Sequence, residues 1–537
     1  MAGIFKNILF AIILLMMILP GLQGYFSFVD EKPLHGAFDS AGKAELTAGR
    51  WFRGEFQEAA ENWIGKRSGF HNSLVRMHNQ LDYSLFRKLN AEGLVQGSNG
   101  QLYEYDYIRA WTGKDFIGER LLDKKLRRFR FIQQHLKEKH GTDLVLVLEP
   151  GKASVYPEDI PERYKKDMGD TTNYEYIRNR AKELGINLID LNAWYIAMKD
   201  TASWPLFPKQ GTHWSEYAMW YAADSLLRYI SESRDIALGA VVRDSVVISS
   251  RLQSTDYDAG QTLNLFCSLP HGPMPYPVYH FDTKGITHKP NVLAIADSYY
   301  WNIFNTRIPE KLFNNQAFWY FYKKVYPDSY HGDKLVKDLD LRAEVEKQDV
   351  IFFMSTERFL YKFDRGFIDD LWELYGLPSS PDRITLYKTG ILNLDPWFSE
   401  VIMEARREGV SLGRMLEMEA RHLMWKNEPE RFYALFGPAP VADDIRKNPA
   451  WFADVSRRAA NNNISVEERL MEEAAYMLKN KYPGAFQEYE SVKRIMGNIR
   501  SDSAWLVQIT EKAERYFMTV DEVIRADAEY VFSLEKK

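Results

Sequence analysis

Cysteine is nearly absent from this sequence, which has only Cys267 among its 537 residues. One thiol cannot form a disulfide within the chain, and it cannot build a metal site that needs several cysteines. The residues around it read Leu-Phe-Cys-Ser-Leu-Pro and resemble no turn that presents a nucleophile. We therefore interpret Cys267 as a buried or incidental thiol, and we predict neither a metal site nor a cofactor site.

An excess of charge is also missing, because the formal net charge is only −5 and the basic and acidic residues are mixed throughout. The chain lacks the basic footprint that is typical of nucleic-acid binding, so we predict no nucleic-acid partner. A chain of this length is too long for one hydrophobic core, and we expect two to four structural units. Aromatic residues are abundant instead, with 14 Trp and 31 Tyr.

The N-terminus carries an apolar run over residues 8–19, preceded by Lys6 and closed by Pro20 and Gly21. A positive residue before a short apolar run is typical of an export signal. The small residues that mark a cleavage site are poorly represented, which favours an uncleaved signal-anchor over a cleaved signal peptide for residues 1–24. Both interpretations predict a periplasmic or otherwise extracytoplasmic protein, and the anchor would hold it in the inner membrane.

Strand-like and helix-like segments alternate through the first two thirds of the chain. Short apolar runs at 143–148, 186–191, 291–296 and 349–354 predict buried strands, and the segments at 116–139, 174–184 and 215–230 predict helices. This alternation predicts an α/β fold with a mostly parallel sheet and helices on both faces. Residues 232–290 interrupt the pattern with turn-forming residues, and we interpret them as an insertion over the edge of the sheet.

Residues 391–537 contain an internal repeat with a period of 54 residues. Trp397, Trp451 and Trp505 mark the three units, and Ser411, Ser465 and Thr519 follow each tryptophan by 14 residues. Serine and threonine are favoured helix N-caps, so each unit is predicted to be a helix pair. No candidate catalytic residue recurs, which indicates an all-α packing or docking module.

The candidate reactive group is Ser298, which follows the predicted strand at 291–296. The carboxyl end of such a strand opens into the crevice where α/β enzymes bind ligands. A serine nucleophile needs a base, and histidine is the residue whose pKa suits that task. His213 is the best candidate because it lies on a glycine-containing turn just before a predicted helix. The alternative is that Ser298 caps a helix and that His213 is a structural hydrogen-bonding residue.

Five short motifs in order resemble the alginate O-acetyltransferase family of the AlgJ/AlgX type, a permuted branch of the SGNH hydrolases. They are Trp-Ile-Gly-Lys-Arg-Ser-Gly-Phe at 63–70, Val-Gln-Gly-Ser-Asn-Gly-Gln-Leu-Tyr at 95–103, Gly-Lys-Ala-Ser-Val-Tyr-Pro-Glu at 151–158, His-Trp at 213–214 and Ala-Asp-Ser at 296–298. The similarity covers residues 54–390. It implies an SGNH hydrolase-like domain over residues 25–390.

The resemblance also implies roles and partners. Ser298 would carry the acetyl group, His213 would be the general base, and backbone N–H groups near Ser298 would hold the oxyanion. Lys152, Trp214 and Tyr299 would contact the substrate. The acceptor would be an exported polysaccharide, and a membrane-bound O-acyltransferase would supply the acetyl group.

One position departs from the family pattern, in which the histidine block reads Asp-x-His. Gly211 stands here in place of that aspartate, which orients the imidazole. Losing such a carboxylate lowers the rate about 10⁴-fold in a serine-protease triad. Three arrangements remain open: another acid, Asp190 or Glu357, reaches His213; the site works as a Ser-His dyad; or the site only binds glycan. An acetylesterase of the same fold is a further alternative.

Overall fold

The computed structural model describes residues 2–36, 45–166, 168–253, 255–286, 288–377 and 382–535. Within these residues the strands are β1 Leu94–Gln96, β2 Leu102–Glu104, β3 Asp143–Glu149, β4 Leu188–Asp190, β5 Ala240–Ser249, β6 Met274–Asp282, β7 Val292–Ala296, β8 Ala317–Tyr320, β9 Lys324–Tyr326 and β10 Val350–Thr356. The α-helices of the first part are α1 Ala2–Phe26, α2 Ala48–Phe52, α3 Glu55–Arg67, α4 His71–Phe86, α5 Tyr105–Trp111, α6 Glu119–His140, α7 Lys152–Val155, α8 Asn173–Leu184, α9 Leu191–Met198, α10 Glu216–Arg234, α11 Asp258–Thr262, α12 Tyr300–Asn305, α13 Ile308–Leu312, α14 Leu341–Glu346 and α15 Phe367–Tyr375. The remaining helices are α16 Arg383–Leu392, α17 Asp395–Glu408, α18 Leu412–Asn427, α19 Pro429–Phe436, α20 Ala439–Lys447, α21 Pro449–Asn461, α22 Val466–Lys481, α23 Pro483–Ser501, α24 Ser503–Arg515 and α25 Val520–Glu535.

A six-stranded sheet in the order β4-β3-β10-β7-β8-β9 forms the centre of the first unit. All neighbouring pairs are parallel except β8 and β9, so the sheet is mostly parallel as predicted. The carboxyl ends of β3, β10 and β7 therefore meet at one edge. That edge is where Ser298 follows β7.

Side chains of the central strands alternate between two hydrophobic cores, one on each face of the sheet. One core takes Leu144, Leu146, Leu148, Leu293, Ile295, Ile351 and Phe353 and packs against α6, α8 and α15. The other core takes Val145, Val147, Val292, Ala294, Phe352 and Met354 and packs against α5, α9, α10 and α12. A strand that is covered on both faces must be apolar along its whole length, which is why these strands read as continuous apolar runs.

The four predicted strands correspond to β3, β4, β7 and β10, and the three predicted helices correspond to α6, α8 and α10. The sequence analysis did not identify β8 and β9, which are short and rich in aromatic residues. The interval 232–290 holds the antiparallel pair β5–β6 and the short helix α11 between them. Cys267 lies in this interval, and its side chain is exposed.

The C-terminal region consists of helices, and the 54-residue register is visible in its pairs α17–α18, α21–α22 and α24–α25. Ser411, Ser465 and Thr519 each accept a hydrogen bond from the backbone N–H three residues later, as a helix N-cap does. Only Thr519 also shows the reciprocal bond, in which its own N–H donates to Glu522. Residue 390, where the predicted SGNH hydrolase-like domain ends, lies inside α16.

The N-terminal helix α1 is long and apolar enough to cross a membrane, and none of its apolar window is buried against the rest of the protein. A signal sequence near the N-terminus has the same length and composition. The helix fits the predicted signal-anchor.

Candidate active site

Ser298 lies at the turn that leaves β7, and the carboxylate of Asp297 fixes this turn. Asp297 Oδ1 accepts a hydrogen bond from the Tyr299 N–H at 3.1 Å. Its Oδ2 accepts from the backbone N–H and the hydroxyl of Thr356 at the end of β10, at 2.9 and 2.7 Å. Asp297 is fully buried, whereas Ser298 is half-buried. The turn is thus tied to the neighbouring strand, and Ser298 stays partly exposed.

His213 reaches Ser298 from the turn that precedes α10. Ser215 caps this helix by accepting from the Ala218 N–H, which sets where the turn ends. The imidazole Nε2 of His213 lies 2.9 Å from Ser298 Oγ, a hydrogen-bonding distance, although 85 residues separate the two. The structure therefore brings together the serine and the histidine that the sequence singled out.

Asp258 completes a hydrogen-bonded series, and the sequence analysis missed it. Its Oδ2 lies 2.6 Å from His213 Nδ1. Its Oδ1 accepts from the backbone N–H groups of Thr212 and Ala259, both at 2.7 Å. Because Asp258 is the first residue of α11, it belongs to the interval 232–290 that we interpreted as an insertion. The only sequence signal was an acidic residue in that interval, and nothing local connects it to His213.

The two acids that we considered for this position lie elsewhere. Asp190 caps α9 by accepting from the Ala193 N–H at 2.9 Å, and it also accepts from the Tyr174 hydroxyl. Glu357 accepts from Ser154 Oγ at 2.6 Å, and burial raises its pKa to about 8. Another acid does meet the imidazole, as one of the alternatives proposed, but it is Asp258 and neither Asp190 nor Glu357.

Gly211, the position where the family pattern has aspartate, has no room for a side chain. A Cβ atom there would lie 2.4 Å from Pro208 Cγ and 2.8 Å from the Thr255 carbonyl oxygen. Contacts below about 3 Å require something to shift. The segment that leads into Asp258 thus fills the space next to Gly211 and brings a carboxylate with it.

Lys152 is fully buried, so it is not the substrate-facing lysine that we expected. Its Nζ donates to the backbone carbonyls of Pro208, Lys209 and Gly211 at 2.8, 2.9 and 2.8 Å. Burial lowers the pKa of this amine to about 7. Three acceptors require three N–H donors, and only the protonated amine has them. Lys152 therefore fixes the turn that carries His213.

Trp214 and Tyr299 are also fully buried, which contradicts their assignment to substrate binding. Their rings pack against each other with centroids 4.9 Å apart. The hydroxyls of Tyr299 and Tyr107 lie 3.1 and 3.2 Å from the Thr212 carbonyl oxygen and 2.5 Å from each other, so one donates to the carbonyl and the other donates to its neighbouring hydroxyl. Tyr299 thus holds the turn that carries His213 through the Thr212 carbonyl, and Trp214 packs against its ring.

The site brings a hydroxyl, an imidazole and a carboxylate into one hydrogen-bonded series at the carboxyl edge of a mostly parallel sheet. Such a series is suited to proton transfer from the hydroxyl to the imidazole. Among the residues that the structure describes, no group of three or more His, Cys, Asp or Glu side chains could hold a metal ion. The arrangement is that of an SGNH hydrolase-like domain.

Comparison with known proteins supports this assignment. Residues 94–269 match the family described as the SGNH hydrolase-like domain of the acetyltransferase AlgX. A probable alginate O-acetylase AlgJ of Pseudomonas aeruginosa is 30% identical over 136 residues, which are 25% of this chain and 32% of that protein. Its namesake from Pseudomonas putida is 26% identical over 151 residues, which are 28% of this chain and 37% of that protein. Residues 94–269 thus resemble a domain of the AlgJ/AlgX type, as the motifs predicted.

The match spans about a third of the length of these two relatives. Among solved structures, the O-acetyltransferase domain of Pseudomonas putida AlgJ aligns with 52% of this chain and 98% of its own, at 19% identity and a TM-score of 0.35. Pseudomonas aeruginosa AlgX aligns with 52% of this chain and 66% of its own, at 14% identity and a TM-score of 0.30.

Proposed function

We propose that this protein is an extracytoplasmic O-acetyltransferase that acts on an exported polysaccharide through an acetyl-serine intermediate. The single observation that carries the proposal is the series Ser298 Oγ to His213 Nε2 at 2.9 Å and His213 Nδ1 to Asp258 Oδ2 at 2.6 Å. The family assignment of residues 94–269 and the names of the two curated relatives support acetyl transfer as the reaction.

The first half of the proposed reaction acetylates the enzyme. Ser298 Oγ attacks the carbonyl carbon of the donor while His213 Nε2 takes the hydroxyl proton. The tetrahedral intermediate then breaks its bond to the leaving group, which receives that proton from the imidazolium. Asp258 keeps the imidazole in the tautomer with Nδ1 protonated and stabilises the imidazolium without itself becoming protonated.

The second half repeats the chemistry with a sugar hydroxyl as the nucleophile. His213 Nε2 takes the proton of this hydroxyl as its oxygen attacks the acetyl-Ser298 carbonyl carbon. The intermediate then releases Ser298 Oγ, which regains a proton from the imidazolium, and the product is an acetyl ester of the sugar. Backbone N–H groups beside Ser298 would hold the oxyanion in both halves, at about 3–4 kcal/mol for each such donor.

The proposed partners follow from the chemistry and from α1. An acetyl group destined for a polysaccharide outside the cytoplasm must cross the inner membrane, so a membrane-bound O-acyltransferase is the proposed donor. The apolar helix α1 supports attachment to that membrane. We propose that the capped helix pairs of the C-terminal region are a packing or docking module, since no candidate catalytic side chain recurs in them.

The same site would serve an acetylesterase, in which water replaces the sugar hydroxyl. The deciding experiment incubates the full chain, in detergent micelles, with a chromogenic acetyl ester and then with an oligosaccharide acceptor. We expect an acetyl adduct on Ser298 by mass spectrometry and its transfer to the oligosaccharide. Transfer to water alone at every acceptor concentration would favour the esterase.

Variants of Ser298 and His213 test whether these two residues are catalytic. Ser298→Ala and His213→Ala should each lose ester hydrolysis by several orders of magnitude, as in measured serine hydrolases. Ser249→Ala is the matched control, because this serine lies on β5 and its hydroxyl bonds to the backbone of Arg251, donating to the carbonyl and accepting from the N–H. Equal hydrolysis by all these variants and the wild type would overturn the proposed function.

A further inference from the structure

Helix α4 is amphipathic in the reverse of the usual sense, with polar side chains toward the protein. Arg76 and Asn79 are buried. The Arg76 guanidinium donates to the carbonyls of Lys32 and Pro33 at 2.8 and 2.7 Å. Asn79 Nδ2 donates to the Leu263 carbonyl at 2.9 Å. The polar face therefore holds α4 against the rest of the chain.

The apolar face of α4 points away from the protein. Leu74, Met77, Leu81 and Leu85 are 46%, 48%, 52% and 69% exposed. Their spacing of three, four and four residues places them on one stripe of the helix, which is about 24 Å long at 1.5 Å per residue. Within the part of the chain that the structure describes, all four side chains therefore remain exposed. The exposed imidazole of His78 borders these four residues and pairs with Asp82. An exposed apolar stripe of this kind marks a contact with a partner or a membrane.

The stripe begins beside the carboxyl end of α1. The Gly69 N–H, two residues before α4, donates to the Pro20 carbonyl at 3.0 Å. A Cβ on Gly69 would lie 2.4 Å from Gln23 Cβ and 2.5 Å from the Gly24 nitrogen, so only glycine permits this approach. The rings of Phe28 and Phe70 also meet edge to face. Helix α4 is thus attached at the point where α1 ends.

We propose that the stripe Leu74–Met77–Leu81–Leu85 lies in the boundary between headgroups and acyl chains of the membrane that α1 spans. Helix α1 has 25 residues and is about 37 Å long, enough to cross a hydrocarbon core of about 30 Å. Where α1 leaves the bilayer, the nearest apolar phase is the lipid itself. A lipid surface accepts a convex apolar stripe without a complementary groove, as interfacial helices show.

The two helices that precede α4 in the chain, α2 and α3, also carry exposed apolar residues. Trp51, Phe52 and Ile64 are 48%, 86% and 60% exposed. Tryptophan is enriched where proteins meet the membrane interface.

The bond from Asn79 to Leu263 also ties α4 to the segment just after α11, whose first residue is Asp258. Docking would therefore hold the candidate active site close to the bilayer. The inference rests on α1 remaining attached, and it does not depend on acetyl transfer.

The test uses the full chain in vesicles of phosphatidylethanolamine and phosphatidylglycerol. In a Cys267→Ser background, which removes the only native thiol, Leu74→Cys or Leu81→Cys carries an environment-sensitive fluorophore. Val507→Cys is the matched control, because Val507 is an apolar residue of similar exposure, 59%, on a C-terminal helix. We expect nitroxides on the lipids to quench the labels at positions 74 and 81 several-fold more than the label at 507.

Equal, weak quenching at all three positions would overturn the proposal. Labels at 74 and 81 that are shielded from water but not quenched by lipid nitroxides would also overturn it, because a second protein copy would then cover the stripe. With the label on Leu85→Cys instead, the paired variant Leu74→Glu/Leu81→Glu should lose the quenching while it keeps hydrolysis of a soluble acetyl ester. Ser298→Ala should keep the quenching, so the failure of this proposal and the failure of the proposed function are distinguishable.

Discussion

Asp258 and His213 are 45 residues apart in the chain, yet Oδ2 of the carboxylate lies 2.6 Å from Nδ1 of the imidazole. The carboxylate comes from a short helix within an interval that interrupts the α/β pattern. The same interval fills the space beside Gly211, where the family pattern has its aspartate. The same segment thus leaves no room for a side chain at position 211 and supplies a carboxylate from position 258.

Replacing Asp258 by asparagine tests whether this contact orients the imidazole. The amide would present an N–H donor to Nδ1, so His213 would adopt the tautomer that carries its proton on Nε2 and cannot accept from Ser298. We expect kcat for acetyl-ester hydrolysis to fall by about 10²–10⁴-fold with little change in KM. Asp190→Asn is the control: it weakens the cap of α9 and should leave kcat within a few-fold. A loss of the same size in both variants would contradict the assignment.

The variant Gly211→Asp places an aspartate where the family pattern has one. We expect that this aspartate cannot take over the contact that Asp258 makes with His213. The new Cβ would collide with Pro208 and with the Thr255 carbonyl, and overpacking of this kind costs about 1–3 kcal/mol. We expect a lower midpoint of thermal unfolding and no rescue of the Asp258→Asn variant. Gly390→Ala is the matched control, since a Cβ there would meet nothing within 4 Å. Full activity in the double variant Gly211→Asp/Asp258→Asn would show that the space exists.

Lys152→Met tests the role of the buried amine as a positioning residue. The variant would remove a donor from three carbonyls of the histidine turn, of which those of Pro208 and Lys209 keep a backbone donor. A buried carbonyl that loses its donor costs about 1–3 kcal/mol. We expect a lower unfolding midpoint and a lower kcat, because His213 would be less well placed. Lys209→Met is the control on the same turn, as Lys209 is exposed. An unchanged kcat in Lys152→Met would contradict the positioning role and would show that Lys152 contributes only to the stability of the fold.

Glu357 gives a prediction for pH, because burial raises its pKa to about 8. The unfolded chain releases this proton near the usual glutamate pKa of about 4.3, whereas the folded chain keeps it. The free energy of unfolding should therefore fall as the pH rises from about 4.3 to about 8. Glu357→Gln should make the unfolding midpoint less dependent on pH in that window. The unfolding midpoint of the exposed control Glu511→Gln should change with pH as that of the wild type does. If the midpoint of Glu357→Gln also changes with pH as in the wild type, the buried proton on Glu357 is contradicted.

Arg127 and Glu522 give the opposite pH dependence, and they join α6 of the sheet domain to the last helix pair. The Arg127 guanidinium donates to a Glu522 carboxylate oxygen at 2.8 Å and to the Phe517 carbonyl at 2.9 Å. Burial alone would raise the pKa of Glu522, but the bonds from Arg127 and Thr519 and nearby positive charge lower it to about 2. The contribution of this pair is present above about pH 4.3 and is lost as the pH falls toward 2.

Arg127→Met should accordingly lower the free energy of unfolding by about 1–3 kcal/mol near neutral pH, and the difference from the wild type should shrink in acid. Chemical denaturation at several pH values measures both effects. The control is Arg500→Met, which breaks the exposed pair with Asp521 and should cost less than about 1 kcal/mol. A difference that is constant with pH would contradict the pairing.

The parts of the fold that the sequence predicted are those with a local physical cause. The strands β3, β7 and β10 are covered on both faces and must be apolar throughout, and the caps at Ser411, Ser465 and Thr519 act within one helical turn. Likewise Ser298 was found because a polar residue follows an apolar strand. The strands β8 and β9 were missed because they are short, and aromatic-rich segments of this kind have no period that separates strand from helix.

The sequence by itself determined the alternating strands and helices, the capped helix pairs, the apolar N-terminal helix and the candidate pair Ser298 and His213. Only the tertiary structure decided which carboxylate meets the imidazole, that Lys152 is buried beneath the histidine turn and that Trp214 and Tyr299 are packing residues. The reason is that local patterns follow from the geometry of a single helix or strand. Burial and hydrogen-bond partners depend instead on which distant segments share the same space, as Asp258 and Gly211 do.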